Sequence, residues 1–76
     1  MTLDDLDVLK NHIDKRVRVT CVDGEIVIAR PLTISEEDED IVFDLISTTR
    51  EDKYEKLDKQ PAYLLRFQHI AHVDPA

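Results

Sequence analysis

Residues 17–45 read VRVTCVDGEIVIARPLTISEEDEDIVFDL, and the periodicity of this stretch decides the fold. Val17, Val19 and Cys21 alternate with Arg18 and Thr20, the period of two that marks a half-buried strand. Asp23-Gly24 follows, and Gly24 is the single glycine of the chain. Asp-Gly between two strand-like runs marks a hairpin, because its tight turn needs positive φ angles. The return strand is residues 25–34. Ile26, Ile28, Leu32 and Ile34 share one parity, interrupted by Arg30, while Val27 and Ala29 make the other face apolar too. A strand apolar on both faces is expected where another element covers one of them. Arg30-Pro31 falls mid-run, and proline removes a ladder donor, so a bulge or sharp bend is expected there. Glu36 to Asp40 is a run of five acids, read as a solvated turn, and residues 41–48 form a β-branched, apolar third strand.

Outward from this stretch, residues 2–11 read as a short helix. Thr2 caps it, and Asp5, three residues on, completes a capping box. Asp4 and Asp5 suit the positive end of the helix dipole and Lys10 the negative end. Leu3, Leu6 and Leu9 share one side at helical spacing, with Ile13 just beyond. So short a helix needs tertiary support, so this stripe is expected to cover the domain's own sheet; the alternative is a docking face for a partner. Residues 49–60 are a polar connection of balanced charge ending at Pro61, compatible with a long hairpin or a loop. Tyr63, Leu65 and Phe67 share one face of a fourth strand, and residues 70–73 make a short fifth. The expected layout is a single domain over 1–76, with a helix near 3–11 and strands near 16–22, 25–34, 41–48, 63–67 and 70–73. The fold class is mainly β: a small, strongly bent five-stranded barrel with an N-terminal helix.

Composition narrows the functions. The chain has 76 residues, with 10 Lys and Arg against 17 Asp and Glu, a formal net charge of −7. With 42% hydrophobic residues, it carries enough apolar side chain for a folded core. A chain this short buries only ~60–65% of its unfolded surface, so self-association is an expected source of support. Cys21 is the lone cysteine, which fits a reducing, cytoplasmic compartment and supplies neither a disulfide nor a zinc finger. No apolar run reaches the ~18 residues of a membrane span. Acidity opposes non-specific nucleic-acid binding, which relies on Lys and Arg at phosphates. One glycine cannot build a phosphate-binding loop, Ser35 and Ser47 have no histidine in a triad-like arrangement, and so short a barrel leaves little room for an acid–base pocket. No catalytic residue, cofactor or metal is therefore expected.

The order of elements and the letters of two segments resemble the Sm/LSm family. That family's first motif runs from an alternating strand through Asp-Gly and a mid-strand glycine to Asp-x-x-x-Asn and an apolar strand. Here Asp23-Gly24 stands at the Asp-Gly, Arg30 at the bending glycine, Glu36 at the loop aspartate and Asp40 at the loop asparagine, with Ile41-Val42-Phe43 continuing. The second motif, apolar-x-Arg-Gly-x-Asn-apolar, is similar to Leu64-Leu65-Arg66-Phe67-Gln68-His69-Ile70. The resemblance implies a non-enzymatic protein that forms a homo-oligomeric ring. It pairs an edge of Tyr63, Leu64, Leu65, Arg66 and Phe67 with Ile70, Ala71, His72 and Val73 of the next copy. It also implies an RNA pocket at Glu36, Asp40, Arg66, Phe67 and His69. RNA is the partner that the family implies; a protein-assembly scaffold on the same fold, with other proteins as partners and RNA binding lost, is the alternative.

The letters that differ carry chemistry. An asparagine amide both donates and accepts at a base edge, whereas an ionised Asp40 only accepts and repels phosphate. Glycine admits close backbone approach, and Phe67 fills that space. The acid run lacks the glycine and ligand alternation of a calcium loop. His69 and His72 are expected on opposite strand faces, which makes them a poor ligand pair. Cys21 reads as a core hydrophobe. Arg66 reads more readily as a structural charge, paired with Asp40 or Asp44, than as an RNA ligand in so acidic a background. Tyr54 offers one isolated stacking surface.

Overall fold

The computed structural model describes residues 1–49 and 62–76. The connection after Thr49, with Tyr54, lies outside the described residues. One helix, α1 (Leu3–Asn11), precedes β1 (Val17–Cys21), β2 (Ile26–Ser35), β3 (Asp40–Thr48), β4 (Tyr63–Arg66) and β5 (Ile70–Pro75). The five strands form one antiparallel sheet in the order β4-β3-β2-β1-β5. β4 and β5 are consecutive in sequence yet lie at the two opposite edges, so the sheet must bend on itself for a short 3₁₀ turn (Phe67–His69) to join them.

Pro31 helps to produce the bend. It offers no N–H to β3, and the β2–β3 register shifts between Pro31 and Thr33, and again between Ile28 and Ala29. Asp14 in the left-handed region (φ 66°) turns the chain out of the helix, and its N–H donates to the Pro31 carbonyl at 2.7 Å. Arg30 stands on the exposed side of the kink and bonds Asp44 across the β2–β3 ladder, with Asp14 at 3.6 Å. At the hairpin, Gly24 has φ +93°, and Cys21 and Glu25 close the turn through a 2.8 Å backbone hydrogen bond.

The core gathers Val17, Val19 and Cys21 from β1, Val27 and Ala29 from β2, Ile41 and Phe43 from β3, Leu65 from β4, and Ile70 and Val73 from β5. Phe43 and Tyr63 stack their rings at a tilt, centroids 6.1 Å apart. β2 buries the set Val27, Ala29 and Pro31, whereas Ile26 is exposed and Ile28, Leu32 and Ile34 are half-buried. The helix contributes less cover than its leucine stripe promises. Leu9 is fully buried, Leu6 is half-buried and Leu3 is 80% exposed. The expectation that the stripe covers the sheet therefore holds for Leu9 and fails for Leu3.

The start of α1 is fastened differently. The Thr2 hydroxyl accepts from the Asp5 N–H at 3.2 Å, and the Asp5 carboxylate accepts from the Thr2 N–H at 2.8 Å, the reciprocal capping box. The other oxygen of Asp5 accepts the Val73 N–H of β5 at 3.0 Å and lies 2.8 Å from His72 Nδ1. His72 Nε2 is 2.9 Å from Asp74. One buried carboxylate therefore caps the helix and ties it to an edge strand. Burial alone would raise its pKa. Hydrogen bonds from the Thr2 N–H, the Val73 N–H and the Thr2 hydroxyl, with the charge of His72, outweigh burial and lower it from 3.8 to about 2.

Candidate nucleic-acid interface

The residues that the Sm/LSm resemblance sets at an RNA pocket come from two stretches of chain, 36–40 and 66–69. The acid run forms the turn between β2 and β3. Ser35 starts it, its hydroxyl accepting from the Asp38 N–H at 3.1 Å, and Glu39 closes it in the left-handed region at φ 55°. Asp40 opens β3 and is the register partner of Arg66, the last residue of β4. Next to that pair, the Phe67 N–H donates to the Glu39 carbonyl at 2.8 Å. Glu36, Asp40, Arg66 and Phe67 thus belong to one end of the sheet. His69 lies at the far end of the 3₁₀ turn, where its carbonyl accepts from the Val22 N–H at 2.9 Å. His69 and His72 fall on different elements, the turn and β5.

Charge dominates this end of the molecule. Glu36 pairs with Lys10 of α1 at 2.7 Å, and among the described residues no ion pair reaches Glu37, Glu39, Asp40 or Arg66. The expected pairing of Arg66 with Asp44 is not what forms, because Arg30 occupies Asp44 across the β2–β3 ladder. Phe67 is half-buried against the core, so its ring occupies volume beside the acid turn that a glycine would leave open. The strand also ends one residue before Phe67, which places its side chain in the turn and not on the β4 edge.

Sequence patterning does not single out two other acidic positions. Asp5 is visible only as a cap, because its contacts with Val73 and His72 are long-range. Glu25 is fully buried beside the hairpin, where it accepts from the Thr48 hydroxyl. The Cys21 sulfur and the carboxylates of Asp23 and Glu25 lie within 4.8 Å of one another, three donors that a cation could share. Asp23 also accepts the Glu25 N–H at 3.0 Å, which accounts for the cluster as part of the turn.

No protein-family model matches the sequence, and no curated protein matches it. The structure is similar to the crystal structure of an SmAP (LSm) protein from Methanococcus vannielii, with a TM-score of 0.64 and 20% sequence identity over 96% of each chain. At that identity the likeness establishes the fold: this chain has the Sm-like fold.

Proposed function

We propose that the chain is a non-enzymatic Sm-like subunit that assembles with copies of itself into a ring. The observation that carries this reading is the placement of β4 and β5 at opposite edges of one bent sheet. Among the described residues neither edge has a further strand partner. On β5 the Val73 N–H is taken by Asp5 and the Ile70 carbonyl by the Met1 amino group, and joining β4 of one copy to β5 of the next would pair the backbone groups that remain. Leu64 on β4 is 57% exposed, apolar area that such a joint would cover. No helix among the described residues is long and apolar enough to cross a membrane. A cytoplasmic location is the reading that the lone Cys21 supports. RNA association is the role that the family resemblance supports for such a ring, with Arg66 the pocket cation that remains.

A second reading, a protein-assembly scaffold that no longer binds RNA, is favoured by Glu37, Glu39 and Asp40, which have no ion pair among the described residues, and by the ring of Phe67. Oligouridine separates the two. Wild type is expected to bind weakly at ~150 mM salt, since few Lys or Arg are placed to neutralise phosphates at this end. Asp40→Asn with Phe67→Gly removes a charge, restores an amide and opens the space, so binding should strengthen. Tight, uridine-selective binding by wild type defeats the scaffold reading. No binding by either protein defeats the RNA reading.

A further inference from the structure

The unburied half of the leucine stripe borders the acid turn. Leu3 and Leu6 of α1, with Met1 and Phe67, line a groove of about 330 Å³ whose remaining wall carries Glu36 and Glu39. Leu3 is 80% exposed, a large apolar side chain at the rim with no core to enter. Leu3, Leu6 and Lys10 run along one helix face, and Lys10 already pairs with Glu36 at 2.7 Å. That wall thus accepts an ammonium group at one end, while Glu39 further along has no ion pair among the described residues.

We infer that this groove docks a short basic segment of another protein, with leucine-sized anchors against Leu3, Leu6 and Phe67 and Lys or Arg side chains on the acidic wall. Charge complementarity selects the occupant. Nucleic acid brings phosphates to a wall of carboxylates. A second copy, with 10 basic against 17 acidic residues, offers few cations to that wall. A basic peptide gains from both walls at once, apolar contact on one and cation–carboxylate contact on the other. The inference depends on neither ring formation nor RNA binding.

The probe is a fluorescein-labelled peptide of about 12 residues, two leucines at i and i+3 flanked by lysine and arginine, read by anisotropy. Two controls replace the leucines with serine or the basic residues with glutamate. Wild type should bind the parent peptide at least ~10-fold more tightly than either control. Leu3→Ser and Glu39→Gln, both changes at exposed side chains, should each weaken binding severalfold and leave the thermal melt unchanged. Equal binding of the serine control would reduce the contact to bulk charge and overturn the proposal. So would undiminished binding by both variants, or no binding at all. Displacement of the peptide by oligouridine would reassign the groove to nucleic acid. A fall in oligomeric mass of Leu3→Ser would reassign it to a second copy.

Discussion

Replacing Asp5 with asparagine tests the joint between helix and edge strand. The carboxylate accepts four contacts: from the Thr2 N–H, the Thr2 hydroxyl, the Val73 N–H and His72. It is 2% exposed, so water does little to replace them. Lowering its pKa from 3.8 to about 2 means that the folded state prefers the charged form. At ~1.36 kcal/mol per unit, that preference contributes about 2–3 kcal/mol. A depressed folded-state pKa gives stability that is fully present above the unfolded value near 3.8. It is lost as pH falls through about 2. The asparagine side chain has the shape but not the charge, and its NH₂ faces donors from Thr2. Asp5→Asn should therefore cost about 2–3 kcal/mol at pH 7. The gap between wild type and variant should hold to pH ~5, fall to about half by pH ~3, and close toward pH ~2. Urea unfolding followed by circular dichroism, at one fixed protein concentration across this series, measures the gap. Other carboxylates titrate in both proteins and cancel in the difference. A gap under ~0.5 kcal/mol at pH 7, or one that does not change with pH, would refute the role assigned to Asp5.

Two further outcomes are expected. Leu65→Asp places an unpaired charge at a core position of β4 that is 7% exposed, a loss comparable to the ~5 kcal/mol that holds a small domain together; circular dichroism should show no cooperative melt, and a melt within a few degrees of wild type would contradict the assigned core. Gly24→Ala should cost about 1–2 kcal/mol by denaturant titration, because the cost is backbone strain at φ +93° and no atom lies within 4 Å of the added carbon.

Local chemistry made much of the fold readable. The period of two in Val17, Val19 and Cys21, the Asp-Gly turn and the proline at position 31 each act over a few residues, and each leads to the observed strand, hairpin or shift of register. The capping box at Thr2 and Asp5 is equally local. What could not be read depends on contacts far apart in sequence. Leu3 has the same helical spacing as Leu9, but only the packing of α1 decides that one is exposed and the other buried. Periodicity likewise gave β2 two apolar faces, and only the packing of the whole sheet decides that Val27, Ala29 and Pro31 take the interior. Arg30 occupies Asp44 through strand register, which leaves Arg66 at the pocket end without that partner. Motif letters alone point to Glu36, Asp40, Arg66 and Phe67, whereas their grouping at one end of the sheet comes from the hydrogen bond between Phe67 and Glu39 and the Asp40–Arg66 register.

The most direct test of the central claim is the mass of the protein in solution, by light scattering at micromolar concentration. Assembly through β4 and β5 predicts one discrete species at an integer multiple of 8.8 kDa, unchanged on moderate dilution as a closed ring requires. A well-folded monomer of 8.8 kDa would contradict it.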